Sequence, residues 1–232
     1  MTAASALRLI GRKALNYLPE PIAEGVRAAK RAVLNRRAPA EVFRGIFIDN
    51  AWDGTESISG PGSTMAASAN VRTALPGLLR ELGIRSLLDA PCGDAYWIST
   101  CFPPDVRYIG GDVVPEIIER NGTERGGLGE FRVMDLVSDD LPEADLILVR
   151  DCFIHLPNAW VRKALANIRR ARIGYLLTTT FPDLGANADI EVGGFRPVNL
   201  QAPPFNLPRP ERLIVESESA AKQLGLWRLS EV

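Results

Sequence analysis

The chain has 232 residues, of which 46% are hydrophobic, and its formal net charge is −1. A chain of this size and composition buries a full core, so we expect one folded domain with a terminal extension. It has no apolar run near the length of about 20 residues that spans a bilayer, and no secretory signal is apparent. Its three cysteines form no C-x-x-C pair, which argues against a disulfide framework and a zinc site. We therefore expect a cytoplasmic protein.

Residues 1–40 predict a basic helical extension. They carry eight basic side chains against two acidic ones, and Pro19 and Pro21 separate two stretches of helical periodicity. We favour a helical lid on the core with its basic face in water. The alternatives are peripheral contact with an anionic membrane surface and an organellar transit peptide.

Residues 41–66 predict a loop that covers a binding site. From Phe43 to Ser63 the sequence is rich in aromatic, hydroxyl and glycine residues and has neither helical nor strand periodicity. Such a loop can close over a site and contribute polar contacts to it. An ordinary packed connection with a turn at 60–62 is the alternative. The candidate substrate contacts are Trp52, for stacking on a sugar ring, and Glu56, Ser57 and Ser59, for hydrogen bonds to hydroxyl groups.

Beyond this loop, segments of helical and strand character alternate. Helices are expected over 70–82, from 96, from 115 and over 160–170, and apolar strand-like runs end near residues 89, 112, 135, 150 and 180. This alternation predicts an α/β fold with a doubly wound, mostly parallel sheet. Ligands of such sheets bind outside the carboxyl ends of the strands. Four acids fall near those ends: Asp89, Asp112, Asp135 and Asp151.

Two of these acids belong to a motif that is typical of nucleoside binding. The run ending at Asp89 enters a tight turn, Ala90-Pro91-Cys92-Gly93-Asp94-Ala95, and Asp112 follows 23 residues after Asp89. An acid at that distance accepts hydrogen bonds from ribose hydroxyls. The turn has one glycine where a dinucleotide fingerprint needs three, and its acids would repel a pyrophosphate. A ligand with an ammonium group and no phosphate fits better.

The segment from about Arg80 to Thr180 resembles the core of class I S-adenosylmethionine-dependent methyltransferases, with Ala95 standing where glycine is usual. The region around Trp52 resembles bacterial methyltransferases of polysaccharide and small-molecule pathways. The resemblance implies S-adenosylmethionine as the cofactor, a methyltransferase domain over 41–232, and a final antiparallel strand pair near 213–216 and 226–229.

The resemblance also implies contacts to the cofactor. It places Asp135 at the adenine amino group and the Leu136 amide at a ring nitrogen, although Asp135 also suits a cap or a turn. The full set of candidate cofactor contacts is Asp89, Pro91, Cys92, Gly93, Asp94, Asp112, Val113, Asp135, Leu136 and Arg150.

The candidate catalytic residues are Asp151 and His155, the latter being the only histidine of the chain. Methyl transfer to an alcohol needs alignment of the reacting groups and a base for the hydroxyl proton, and histidine is the usual base. If a helical turn follows the strand, the two residues share one face, and Asp151 would orient the ring. Our hypothesis is that His155, or Asp151 itself, is the general base. The alternative is a histidine packed beneath the cofactor.

Two later segments contain further candidates. Asp183, Asn187 and Asp189, together with Asp151, offer the oxygen ligands that a divalent cation prefers, but their spacing is not diagnostic and we assign no metal ligand. Residues 190–210 are proline-rich and predict an irregular loop that faces the substrate. A stiff surface connection is the alternative. The candidate substrate contacts in this loop are Arg196, Asn199 and Gln201.

The predicted function is S-adenosylmethionine-dependent O-methylation of a hydroxyl on a saccharide or another polar small molecule. An N-methyltransferase of a small molecule and a non-catalytic S-adenosylmethionine-binding protein are the alternatives. A nucleic-acid substrate is disfavoured, because the body of the chain is acidic and would oppose phosphate binding. The chain also lacks the Asn/Asp-Pro-Pro-Tyr/Phe motif of enzymes that methylate amino groups of nucleic acids and proteins.

Overall fold

A computed structural model describes residues 19, 21–26, 39–217 and 221–231. Of the predicted basic extension it therefore includes residue 19, the helical residues 21–26 and the start of the next helix. The predictions of a lid, of membrane contact and of a transit peptide concern residues that lie mostly outside this description. None of the helices within the described ranges is both long enough and apolar enough to cross a membrane.

Seven strands form one sheet in the order β3-β2-β1-β4-β5-β7-β6. The strands β1 to β5 pair in parallel, whereas β7 is antiparallel to both β5 and β6. This arrangement confirms the doubly wound, mostly parallel sheet and its final antiparallel pair. The strands are β1 (Ser86–Asp89), β2 (Arg107–Asp112), β3 (Glu130–Val133), β4 (Ala144–Val149), β5 (Ile173–Thr180), β6 (Arg212–Ser217) and β7 (Lys222–Arg228).

Helices pack on both faces of the sheet. Successive side chains of a strand point to opposite faces, so Leu87 packs in the core cluster of α2 (Ala69–Glu81), while its neighbour Leu88 packs in that of α4 (Asn158–Arg170). Short 3-10 turns occur at Pro61–Ser63, Ile98–Thr100, Phe153–His155 and Leu229–Glu231. The helices are α1 (Pro39–Ile48), α2 (Ala69–Glu81), α3 (Pro115–Glu124) and α4 (Asn158–Arg170).

Two predicted elements differ from the structure. The loop predicted over 41–66 is wrong for its first part, because α1 extends to Ile48. Its apolar residues Val42, Phe43, Ile46 and Phe47 have the i, i+3, i+4 spacing of an amphipathic helix, a signal that the sequence contains. The helix predicted from residue 96 is only the turn Ile98–Thr100. Two prolines at 103 and 104 follow, and neither fits a helix interior.

Candidate active site

Two adjoining cavities lie at the carboxyl ends of the parallel strands. The first, which we call the strand-end cavity, is bordered by one face of α1 and by residues 89–93, 112–114, 134–137 and 150–152. The second, the side cavity, is bordered by the other face of α1, the turn at 60–62 and residues 191–195. The walls of both cavities include Trp52, Ser59, Asp151 and His155.

Asp112 ends β2 and lies at the wall of the strand-end cavity. The backbone amides of Gly93 and Val114 donate hydrogen bonds to its two carboxylate oxygens, at 3.1 Å and 3.0 Å. Burial raises the pKa of Asp112 to about 6, although these amide hydrogen bonds act in the opposite direction. The structure thus fixes a buried acceptor beside the glycine turn, where a ligand hydroxyl can donate to it.

Asp89 ends β1 and is also buried. Its carboxylate accepts a hydrogen bond of 2.7 Å from the hydroxyl of Tyr108. Burial raises the pKa of Asp89 to about 7, and the nearby charge of Asp112 raises it further, while Tyr108 and Arg150 lower it. Two buried carboxylates at one cavity wall create a negative potential that favours a positively charged ligand.

The turn after β1 requires glycine at position 93. Gly93 has a φ of +52°, and a Cβ atom there would lie only 2.2 Å from Ser59 Oγ. Ala95, which stands where glycine is usual, also adopts a left-handed backbone, with a φ of +48°. The substitution therefore preserves the left-handed conformation of the turn. Pro91, Cys92 and Val113 border the strand-end cavity beside it.

We call residues 57–63 the covering segment. Asp94, in the turn after β1, holds the first end of this segment. The Asp94 carboxylate accepts bonds of 2.9 Å and 3.1 Å from the hydroxyls of Ser57 and Ser59, and one of 3.1 Å from the Ile58 amide. These bonds correct two predictions. Asp94 binds the covering segment instead of the cofactor, and buried Ser57 binds Asp94 instead of a substrate. Glu56 is exposed, accepts a hydrogen bond from the Met65 amide and borders neither cavity, and its substrate contact stays a prediction.

Arg150 binds the second end of the covering segment. Its guanidinium donates to the carbonyl of Gly62 at 2.7 Å and to Glu216 at 2.6 Å, and it lies over the Trp97 ring at 5.2 Å. Arg150 borders the strand-end cavity, but these hydrogen bonds are directed to the protein. The structure thus gives Arg150 a role in holding the covering segment, and its contact with the cofactor stays a prediction.

Asp135 and Leu136 follow β3 and border the strand-end cavity with Met134. The Asp135 carboxylate accepts hydrogen bonds of 2.8 Å from the Val137 amide and 3.0 Å from the Ser138 hydroxyl. These contacts match the role of a turn residue, which was the alternative for Asp135. Its contact with an adenine amino group stays a prediction, as does that of the Leu136 amide.

The His155 ring lies in the wall between the two cavities. It stacks on Trp52 at a centroid distance of 5.0 Å and lies 6.0 Å from the Phe195 ring. Its Nδ1 atom is 2.6 Å from the carbonyl oxygen of Gly194. Because a carbonyl only accepts, Nδ1 carries the proton of the neutral ring, and Nε2 carries the lone pair. The Gly194 carbonyl, and not Asp151, orients the ring through Nδ1.

Asp151 follows β4 with a left-handed φ of +54°, and a 3-10 turn follows it, so the helical spacing expected for Asp151 and His155 does not form. Its carboxylate accepts hydrogen bonds of 2.7 Å from Lys222 and 3.2 Å from the Thr179 hydroxyl. Burial acts to raise the pKa of Asp151, but Arg150 and Lys222 outweigh burial and hold it below its usual value. A carboxylate with a lowered pKa is a weak base, so the geometry favours His155 as the base.

Comparison with solved structures identifies the architecture. The chain is similar to magnesium protoporphyrin IX methyltransferase from Synechocystis PCC 6803, solved with bound S-adenosylmethionine, at 12% identity and a TM-score of 0.56, covering 82% of this chain and 96% of that one. It is also similar to the N-methyltransferase NodS from Bradyrhizobium japonicum WM9, solved with S-adenosylhomocysteine, at 16% identity and a TM-score of 0.56, covering 83% and 98%. A third similar structure is the methyltransferase domain of bacterial CtHen1, at 13% identity and a TM-score of 0.52, covering 70% and 99%.

The chain has the class I methyltransferase fold. The resemblance drawn from residues 80–180 is thereby confirmed at the level of the fold. No protein-family model and no curated protein sequence matches the chain.

On this methyltransferase fold, Arg196 has a structural role. Its buried guanidinium donates to the carbonyls of Ala188, Phe153 and Leu156 at 2.6 to 2.8 Å, and to the side chain of Asn158 at 2.8 Å. Burial lowers the pKa of Arg196 to about 10, and Asp189 partly offsets this effect. The predicted substrate contact of Arg196 is wrong, because its donors hold residues 190–210 against α4 and the preceding turn.

Replacing Arg196 with Met should destabilise the fold by about 3 kcal/mol, because several buried carbonyls lose a donor at once. Urea unfolding followed by circular dichroism measures the loss. Arg209→Met is the matched control, since Arg209 is exposed in the same irregular segment, and we expect it to stay within about 0.5 kcal/mol of the wild type. Equal stability of the two variants would contradict a structural role for Arg196.

The Asn199 side chain is also buried and bonded within the protein. The side-chain amide of Asn199 donates to the carbonyls of Pro182 and Leu184 at 3.0 Å and 2.8 Å. Its oxygen accepts a hydrogen bond of 2.9 Å from the backbone N–H of Gln201. Neither residue borders the two cavities. The predicted substrate contact of Asn199 is therefore wrong, whereas that of the half-buried Gln201 stays a prediction. Residues 190–210 are irregular as expected.

The oxygen ligands proposed for a cation are not gathered into a site. Asn187 donates to the carbonyls of Asn199 and Pro203 at 2.8 Å, and Asp189 accepts from the Asn158 amide at 2.7 Å. Across the described residues, no group of three histidine, cysteine or acidic side chains has an arrangement that could hold a metal ion.

Several residues of the site escaped sequence analysis. Phe195 and the Gly194 carbonyl contact His155. The glycine pair at 193–194 was the only local signal of these contacts in the sequence. Lys222 and Glu216 lie on the last two strands. In the sequence they do not differ from charged residues that are exposed to solvent. The pairing of β7 with β5 and β6 brings Lys222 to the side cavity and Glu216 beside it.

Proposed function

We propose that this chain is an S-adenosylmethionine-dependent methyltransferase that binds its cofactor in the strand-end cavity. When bound, the cofactor supplies an electrophilic methyl group on a positively charged sulfur. Asp112 would accept hydrogen bonds from the ribose hydroxyls, and Met134 and Leu136 would provide an apolar slot for the adenine ring. Asp89 and Asp112 together give the cavity the negative charge that suits a cationic ligand. The carboxylate of Asp112, buried and held by two amides, is the observation that supports this assignment most.

We propose further that the enzyme methylates a hydroxyl group that enters through the side cavity. His155 lies in the wall common to both cavities, with its Nδ1 proton committed to Gly194 and the lone pair on Nε2. In the reaction Nε2 would accept the hydroxyl proton, and the cofactor would supply the methyl group to the acceptor oxygen and keep the electron pair of its carbon–sulfur bond. General-base catalysis of this kind contributes about 10²- to 10⁴-fold to the rate.

For the acceptor we propose a saccharide or another polar small molecule with a flat apolar face. The side cavity combines aromatic rings with charged groups, which suits a ligand that has both apolar faces and polar groups. Its aromatic and charged walls are formed by Trp52, Phe181, Phe195, Asp49, Glu191 and Lys222. The residues first expected to bind the acceptor, Ser57, Arg196 and Asn199 among them, are bonded within the protein.

N-methylation is the second candidate. Asp49 and Glu191 give the side cavity two carboxylates besides Asp151, which would attract a cationic amine. The structurally similar NodS is an N-methyltransferase. An amine that binds as a cation must also lose a proton before it attacks, so the two reactions are distinguished by whether mass spectrometry locates the added methyl group on nitrogen or on oxygen.

Two measurements test the proposed function. Titration calorimetry should show micromolar binding of S-adenosylhomocysteine to the wild-type protein. Methyl-labelled S-adenosylmethionine is then incubated with panels of sugars, other hydroxyl compounds and amines, and mass spectrometry detects acceptors that gain a methyl group. Binding without transfer to any panel would support the non-catalytic alternative. Absence of binding would overturn the assignment of the cofactor.

A further inference from the structure

The final antiparallel strands bring two opposite charges to the junction of the cavities. Lys222 begins β7, and its ammonium group lies 2.7 Å from an Asp151 oxygen and 3.4 Å from a Glu216 oxygen. Glu216 on β6 in turn accepts a hydrogen bond of 2.6 Å from Arg150. The four side chains are at most 19% exposed, so their charges are weakly screened by solvent.

Asp151 is held at this junction from several directions. Thr179 on β5 accepts a hydrogen bond of 2.9 Å from the Asp151 amide and donates one of 3.2 Å to its carboxylate. The covering segment approaches so closely that a Cβ atom at Gly62 would lie 2.7 Å from the same carboxylate oxygen that Lys222 contacts. The carboxylate therefore has a fixed position, and Lys222 supplies its closest counter-charge.

His155 shares the wall of both cavities with Asp151, so the charge at the junction acts on the imidazole. The charged groups around the side cavity are Asp49 after α1, Asp151 after β4, Glu191 before the two glycines, and Lys222 on β7. The rings in contact with His155, those of Trp52 and Phe195, are uncharged. Lys222 is the one cation among these four groups. On the side of the strand-end cavity, Arg150 is a second cation, 3.5 Å from the same Asp151 oxygen that Lys222 contacts at 2.7 Å.

We propose that Lys222 is a positioning residue that, by pairing with Asp151, keeps His155 unprotonated near neutral pH. Without this pairing, the carboxylate at the junction would stabilise the imidazolium, and Nε2 would already carry a proton when an acceptor arrives. Its use in catalysis rests on the proposed function, in which His155 is the base. The electrostatic coupling itself exists whether or not the chain transfers methyl groups.

The coupling can be measured directly, because the chain contains a single histidine. Nuclear magnetic resonance titration of the untagged protein, with labelled imidazole, reports the pKa of His155 without assignment of other signals and without an acceptor. We expect Lys222→Met to raise this pKa by about one unit and Asp151→Asn to lower it by a similar amount. Lys222→Arg should restore the wild-type value, because it retains the positive charge.

The matched control is Arg228→Met, on the same strand, whose exposed side chain pairs with Glu211. It should leave the His155 titration unchanged. A wild-type titration in Lys222→Met would overturn the proposal, provided that circular dichroism shows the variant to be folded. If Lys222→Met does not fold, Lys222→Gln removes the charge while keeping a hydrogen-bond donor, and the same upward shift is expected. Calorimetry with S-adenosylhomocysteine on the same samples tests the proposed function separately.

Discussion

Replacing His155 with Gln should lower the rate of methyl transfer by about 10²- to 10⁴-fold, the usual contribution of a general base. Glutamine has about the size of histidine, and its amide can still donate a hydrogen bond to the Gly194 carbonyl. It cannot accept a proton at neutral pH. The variant should therefore keep the wall between the cavities while losing the base.

The measurement compares kcat and KM for an acceptor found in the methyl-transfer panels, together with calorimetric binding of S-adenosylhomocysteine. We expect kcat to fall and cofactor binding to change by less than about threefold, since less than 1 kcal/mol of binding free energy is at stake. Arg228→Met is the control, because its exposed side chain borders neither cavity and the histidine stays in place. Full activity of His155→Gln would show that the histidine has only a packing role.

Replacing Asp112 with Ala should weaken binding of S-adenosylhomocysteine by about 100-fold or more, since hydrogen bonds to a charged group contribute about 1.5 to 3 kcal/mol each. Asp112 ends β2 at the wall of the strand-end cavity, where its oxygens can accept from two ribose hydroxyls. The control is Asp105→Ala, an exposed acid in the connection before β2, for which we expect wild-type affinity. Unchanged binding by Asp112→Ala would place the ribose elsewhere.

The pH dependence of this binding should show the same carboxylate. Burial raises the pKa of Asp112 to about 6, and only the ionised form accepts hydrogen bonds with both oxygens. Affinity should therefore be full above about pH 7 and decline as the pH falls through 6. In Asp112→Asn, which has no proton to gain, calorimetry between pH 5 and pH 8 should show a flatter profile. Asp89, with a pKa of about 7, titrates in the same range, so the Asp112→Asn profile is expected to be flatter than that of the wild type but not level.

The parts of the site that the sequence could predict are those governed by the ends of neighbouring strands. Asp112 was found because an acid at the end of the second strand lies beside the turn of the first, whatever the rest of the chain does. Gly93 was found because the tight turn has a strong local signal. His155 was singled out as the one histidine at the end of β4, although the contact that orients it was not foreseen.

The mistaken assignments have a common cause. Arg196, Asn199 and Ser57 have the donor groups that a polar substrate needs, but the same donors also satisfy backbone carbonyls or a buried carboxylate. Three of the four partners of Arg196 lie about 40 residues earlier in the chain, and Asp94 lies 37 residues after Ser57. Sequence pattern shows which groups a residue offers, but it does not show which distant segment approaches it in the folded chain.

Helix α1 covers both cavities, with Pro39, Phe43 and Phe47 over the strand-end cavity and Val42 and Ile46 over the side cavity. None of its residues is buried, and its Arg44 pairs with Glu116 at the start of α3. A ligand in either cavity therefore adds contacts to the same helix, and the second ligand meets a helix already held in place. Cofactor and acceptor should bind with positive cooperativity, and thermodynamic linkage requires each to increase the affinity of the other by the same factor.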